Sequence, residues 1–210
     1  MDGFLPFFPL KLVAFPGEPL NLHIFEPRYK QLINECLEND STFGIPVFHN
    51  DKVLDYGTEM RVTNLVRTYP TGEMDINTEA VRAFKINSFE HQVEGKLYAG
   101  GKVTFLPNEM DGTNEQLDHL KQLAGKLVKL IHMDEELDVT AVAHSFELAH
   151  KMGLSLEQEY DMLQMTSEYV RQEYMINHLE RALPLVREME LARERIKMNG
   201  HFRHLDPLKF

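Results

Sequence analysis

The sequence predicts an α+β fold: a small barrel or strongly curled β-sheet with one inserted helix, then a helical bundle whose last helix is long and kinked. Three observations predict it. Up to about residue 110 the apolar residues come in short runs separated by turn formers. One helical stripe interrupts these runs, and most of the rest have no crossover helix between them, which suits a closed or curled sheet. After Leu106-Pro107-Asn108 the apolar period becomes helical and stays so. The expected division is a β-rich part over residues 1–110, an α-helical part over 111–200 and an irregular tail over 201–210.

In the first part, Phe4–Leu10 and Val13–Phe15 precede a Pro16-Gly17 turn, and Leu20, Leu22 and Ile24 then alternate with polar neighbours at a period of two. Further strand-like runs are Phe43–Phe48, Met60–Tyr69, Met74–Asn77, Phe84–Phe89 and Leu97–Leu106. The segments His49–Lys52, Pro70–Glu73 and His91–Gly95 between them are rich in turn formers. The inserted helix is carried by Tyr29, Leu32, Ile33, Cys36 and Leu37, which share one face. Pro27 suits its first position, where the missing N–H is harmless, and Asn39-Asp40 ends it.

In the second part a first helix is expected from about Gln116 to Ile131. Asp138 can cap a second, with Val139, Val142, Phe146 and Ala149 on its face and Gly153 as the residue that stops it. Ser155-Leu156-Glu157-Gln158 is a capping box that starts a third, with Leu156, Tyr160 and Leu163 inward. The fourth runs from about Ser167 to Met198 and stops at Asn199-Gly200, with Pro184 inside it. Its stripe of Ile176, Leu179, Leu183 and Val186 either closes the bundle internally or pairs with a second subunit as a homodimer.

Composition narrows the function classes. The 210 residues carry 22 Lys+Arg and 33 Asp+Glu, a net charge of −11. Both halves are acidic, so no basic face exists to neutralise a run of phosphates or to hold an anionic membrane. The apolar N-terminus opens on Asp2 and is broken by Pro6, Pro9 and Pro16, which is not the pattern of a signal peptide. No apolar stretch approaches the roughly 18 residues of a membrane span. The single cysteine, Cys36, cannot form an internal disulfide, which fits a reducing compartment, and the expected location is the cytoplasm.

The residues that carry chemistry elsewhere do not assemble into a site here. Gly95–Val103 resembles a phosphate-binding loop only loosely: its spacing is off by one, Val103 has no hydroxyl, and it reads as a strand. No Gly-x-Ser-x-Gly elbow occurs. Glu147 and His150 form one Glu-x-x-His pair, but a di-iron bundle needs two such pairs and two further glutamates. His144 and His150 point in different directions along a helix, and His201 and His204 lie in the tail. Cys36, on an apolar stripe, reads as a small hydrophobe. No catalytic, cofactor-binding or metal-ligating residue is assigned. Met152, Met162, Met165, Met175, Met189 and Met198 fall in the helical half and read mainly as core fillers.

The segment Leu5–Leu10, then Phe15-Pro16-Gly17, then Leu22-His23-Ile24-Phe25-Glu26-Pro27-Arg28-Tyr29 resembles the opening of the Lon protease N-terminal (LON substrate-binding) domain family, with Phe25–Tyr29 its most specific element. Phe43-Gly44-Ile45 and Gly57-Thr58 match its next strand and glycine turn. Ala80–Phe84 departs from the family's Gly-x-x-Arg-Phe, with alanine at both the glycine position (Ala80) and the arginine position (Ala83). Ala149–Ser155 through Asn199-Gly200 is similar to the helical part of single-domain bacterial LON proteins, which lack ATPase and peptidase domains. The resemblance implies a PUA-like pseudo-β-barrel backed by a helical bundle. It also implies a non-catalytic module that binds exposed apolar or unfolded segments of other proteins. PUA-like barrels elsewhere bind RNA, and that is the alternative reading. The residues Phe25, Glu26, Pro27, Arg28 and Tyr29 all have work at a strand-to-helix junction: Glu26 at the positive helix end, Pro27 as starter, Tyr29 packing, Arg28 holding a carboxylate or carbonyl. The motif is therefore expected to be structural. The partner-binding residues are not indicated.

Overall fold

The computed structural model describes residues 2–133 and 137–201, with side chains described as far as Ile196. Among the described residues six strands and five helices follow in the order β1 (Asp2–Phe7), β2 (Pro19–Ile24), α1 (Pro27–Asn39), β3 (Phe43–His49), β4 (Lys52–Thr68), β5 (Met74–Ile86), β6 (Ala99–Phe105), α2 (Asn114–Leu130), α3 (Phe146–Ala149), α4 (Leu156–Leu163) and α5 (Glu168–His201). The fold is mixed α+β. Of the irregular tail expected over 201–210, His201 is instead the last residue of α5, and residues 202–210 lie outside the described residues.

The sheet runs β2-β5-β4-β3-β1-β6, and a further β5–β6 pairing brings its ends together. β5 can serve both neighbours because it is long: its first half pairs with β2, while Phe84, Lys85 and Ile86 pair with Phe105, Thr104 and Val103. The two runs expected at Met74–Asn77 and Phe84–Phe89 are thus one strand. Register shifts in the β4–β5 ladder, one of them between Glu59 and Met60, bend the long hairpin. Val13–Phe15 is not a strand, although all three residues are buried. The His49–Lys52 turn forms as expected, with Asn50 and Asp51 at φ 48° and 58°, in the left-handed region that Asn and Asp tolerate best after glycine.

The chain groups into two compact units, residues 1–111 with 154–168, and residues 112–153 with 169–210. Residues 154–168, which contain α4, group with the sheet although they follow the boundary expected at 110.

In the first unit, one face of the sheet and α1 enclose Ile24, Tyr29, Leu32, Ile33, Phe43, Ile45, Met60 and Ile76. A smaller cluster holds Leu5, Phe7, Phe84 and Val103. α1 starts at Pro27 and ends at Asp40, which is left-handed at φ 48°. Of its stripe Tyr29, Leu32, Ile33 and Cys36 are buried and Leu37 is exposed. The capping box of α4 is complete: Ser155 Oγ accepts from Gln158 N, and the Gln158 side chain accepts from Ser155 N. Buried Glu59 accepts from Thr42 and Arg82 at 2.7 and 2.6 Å. Arg82 thus makes an ion pair in the segment where Ala83 stands at the family's arginine position.

In the second unit α2, capped by Thr113, buries Leu120, Leu123, Ala124, Leu127 and Val128. The helix expected from Asp138 is mostly absent, and only Phe146–Ala149 is helical. Asp138 instead accepts from the Thr140 N–H at 2.9 Å and the Thr140 hydroxyl at 2.6 Å, a local turn that competes with helix, in a stretch rich in poor helix formers. These bonds hold the Asp138 carboxyl below the usual range. Val142, Phe146 and Ala149 are buried all the same. Arg171 is buried with its guanidinium 4.3 Å above the Phe146 ring. α5 runs through His201, past the expected stop at Asn199-Gly200, with Pro184 inside it. Met152, Met162 and Met175 are buried as core fillers, whereas Met189 is 70% exposed. The side chain of Met198 lies outside the described residues.

Candidate binding cleft

The first unit carries a cleft of about 320 Å³. Its walls come from four segments that are remote in sequence. β1 supplies Phe7, the first turn of α1 supplies Arg28 and Tyr29, and the β3–β4 hairpin supplies Phe48 and Val53. Residues 87–98, between β5 and β6, supply Phe89, His91 and Leu97. Most of these side chains are apolar, with Arg28, His91 and the Tyr29 phenol as the ionisable groups.

Aromatic stacking fixes the walls. Phe7 stacks on Phe84 and Phe89 with ring centroids 5.8 and 5.6 Å apart. Tyr29 lies on Phe8 at 3.9 Å. Burial pushes the Tyr29 phenol up from its ordinary value, the Arg28 charge opposing this and the Glu26 charge adding to it. His91 meets the edge of Phe89 at 5.1 Å. Leu97 is 57% exposed, an apolar side chain offered to solvent at a cleft wall.

Segment 87–98 is tied down at both ends and across its middle. Glu90 and Gly100 exchange two backbone hydrogen bonds at 2.8 and 3.0 Å. Gly101 must be glycine because a Cβ there would run into the Ser88 carbonyl. The middle is latched to α1 through Glu35, whose carboxylate receives the Tyr98 hydroxyl, the Gln31 amide at 3.0 Å and the Lys96 ammonium at 2.8 Å. Gln31 in turn accepts from Leu97 N at 2.9 Å. Desolvation works to raise the Glu35 carboxyl, but the bonds from Lys96, Tyr98 and Gln31 and the Lys96 charge outweigh it and hold the group below its ordinary value. The Tyr98 phenol is pushed up, by burial and then by Glu35. Cys36, next along α1, is buried, and desolvation pushes its thiol up to about 11.

The Phe25–Tyr29 segment divides at this site. Tyr29 and Arg28 reach the cleft; Phe25, Glu26 and Pro27 do not line it. Pro27 occupies the first turn of α1, as expected. Glu26 is the N-cap residue but makes no side-chain cap bond. Its carboxylate takes Arg28 instead, with Nε and Nη2 each 2.8 Å away. The Arg28 guanidinium lies 4.5 Å from the Tyr29 ring centroid. Phe25 is 58% exposed with His23 stacked against it at 6.1 Å. Beside that pair, His23 and the Tyr69 hydroxyl each reach an oxygen of Asp75 at 2.7 Å, a surface network joining β2, the β4–β5 connection and β5. Hydrogen bonds from His23 and then Tyr69 hold the Asp75 carboxyl below the usual range.

Sequence reasoning did not find Phe48, Phe89, His91 or Leu97 as neighbours. Among the described residues no group of three or more His, Cys, Asp or Glu is placed to hold a metal ion. Glu147 lies 3.3 Å from His144. Gly100 and Gly101, in the stretch tested as a phosphate loop, lie in β6.

The family model for the ATP-dependent protease La (LON) substrate-binding domain matches residues 4–198. The chain belongs to this family. Among solved structures, a Lon N-terminal domain protein from Xanthomonas campestris is 25% identical with a TM-score of 0.65, over 83% of this chain and 98% of that one. The N-terminal domain of Mycobacterium avium complex Lon protease is 14% identical with a TM-score of 0.62, over 85% and 98%, a likeness of fold. Membership in the LON substrate-binding family supports a protein-substrate recognition module with proteins as partners. No helix among the described residues is long and apolar enough to cross a membrane.

Proposed function

We propose that this LON domain is a non-catalytic, cytoplasmic protein-binding module that takes exposed apolar segments of unfolded or partner polypeptides, and that the cleft of the first unit receives one large apolar side chain of such a segment. The observation that carries the reading is the cleft itself, about 320 Å³ walled by Phe7, Tyr29, Phe48, Phe89 and Leu97. That volume sits at the small end of ligand pockets, which suits a single side chain. Burying one such side chain is worth roughly 1.5–3 kcal/mol, so useful affinity comes from a segment with several anchors. We also infer that the closed sheet is PUA-like, and that Phe25–Tyr29 is a structural junction whose Arg28 and Tyr29 shape one wall. Nucleic acid and membrane stand outside the partner set, in keeping with a net charge of −11.

The test is a binding titration of the chain against a reduced, alkylated reporter protein held unfolded, with Leu97→Asp as the variant. Leu97 is exposed, so the variant folds, and the expected effect is at least about a tenfold loss of affinity, near one lost apolar burial. Undiminished binding by Leu97→Asp sinks the assignment of the cleft. Binding to RNA that falls steeply with salt would support the PUA-like alternative instead.

A further inference from the structure

Helix α5 carries two apolar stripes with different fates. In its first half Met175 and Leu179 are fully buried in the second unit. Beyond Pro184 a second stripe faces solvent: Leu185 is 62% exposed, Met189 70% and Ile196 72%, with exposed Ala192 between the last two. Their spacings are four, three and four, the alternation of a heptad seam, over about 16 Å of helix. A single exposed Leu or Ile is ordinary, but a heptad-spaced row of them on one helix is the mark of a partner helix. Glu188 and Arg195 flank the row on one side and Arg193 on the other, with Arg193 already 3.4 Å from Glu190 of its own helix.

We propose that this seam binds a second copy of the chain, with the two α5 helices pairing antiparallel. Leu185 then meets the partner's Ile196, and Met189 meets the partner's Ala192, each twice by symmetry. Every layer is filled evenly: two residues of like size, or a large one against a small one. Parallel pairing would stack Met189 on Met189 and Ala192 on Ala192, one layer crowded and the next hollow. The antiparallel register also sets Glu188 beside the partner's Arg195, an opposite-charge pair formed twice, while Arg193 keeps its bond to Glu190. The occupant is a second copy because the row supplies both halves of its own complement, in volume and in charge. The pairing is independent of the cleft in the first unit.

Sedimentation velocity of the full chain over a concentration series tests this. Dimers are expected in the micromolar range, and Met189→Glu should weaken them at least about tenfold with the melting curve of the monomer unchanged, since that side chain is exposed. Glu188→Arg alone should weaken association, and Glu188→Arg with Arg195→Glu should restore it. A chain still monomeric at about 0.1 mM overturns the proposal, as does a dimer indifferent to Met189→Glu. Failure of the double reversal to restore association overturns the antiparallel register.

Discussion

Replacing Glu35 with alanine tests whether segment 87–98 is held as a wall of the cleft by a single carboxylate. Three bonds are lost together: from Tyr98, from Gln31 and from Lys96. The Tyr98 loss weighs most, because that residue is only 6% exposed and its hydroxyl loses its acceptor, at about 1–3 kcal/mol. The Lys96 pair is partly solvated, with side chains 36% and 26% exposed, and adds no more than about 1 kcal/mol. The expected sum is about 2–3 kcal/mol, a fall in Tm of roughly 5–10 °C for a chain of this size. Because two of the lost bonds come from segment 87–98 and the third positions Gln31, which holds Leu97 N, hydrogen exchange should show the effect locally, with faster exchange at the Val93 and Leu97 amides. The pH dependence has a definite sign. The folded carboxyl lies below its ordinary value, so its contribution is complete above the unfolded value of about 4.3 and is lost as pH falls through the lower folded value. The difference between the parent and Glu35→Gln should therefore be flat from neutral pH to about 5 and shrink in acid. Unchanged exchange in segment 87–98 of Glu35→Ala would refute the latch.

Three further outcomes are expected. Arg28→Ala should lower thermal stability by about 1 kcal/mol or less, the worth of an exposed ion pair and an exposed cation–π contact, and leave client binding within about threefold; unchanged melting with lost binding would give Arg28 a direct role in recognition. Ser155→Ala should cost about 1 kcal/mol by removing the cap of α4, and a melting curve identical to the parent's would contradict the capping box as a stabilising element. Cys36 should resist alkylation at pH 8 in the folded chain, because its thiol is buried and titrates near 11, and react once denaturant opens α1; rapid labelling of native protein would show that α1 opens readily.

Several helix ends were legible in residues within four positions of each other, though the expected stop of α5 at Asn199-Gly200 was not one of them. Ser155 and Gln158 cap each other across three positions, Pro27 starts α1, and Asp40 takes the left-handed conformation that ends it. Asp138 failed for the same local reason turned around, since its carboxylate can serve a helix N-terminus or a turn two residues on, and the turn to Thr140 won. The membership of α5 in one stripe was also legible, but not which stretch of that stripe the second unit would cover. Periodicity says which residues share a face; the neighbouring elements decide how fully that face is covered, and of Ile176, Leu179, Leu183 and Val186 only Leu179 is fully buried while the other three are half-buried.

The order of strands and helices and the junction at Pro27 follow from the amino-acid sequence alone, because each depends on propensities and bonds among near neighbours. So does the LON resemblance, which is a matter of residue identity. The ring closure of β5 on β6, the grouping of α4 with the sheet and the walls of the cleft were decided only in three dimensions. Glu35 meets Tyr98 across 63 positions and Gln31 meets Leu97 across 66, and no local preference in the chain specifies either contact. Such contacts form because the whole sheet has curled and α1 has packed against it, so their energy belongs to the assembled fold and has no signature in any short stretch of sequence.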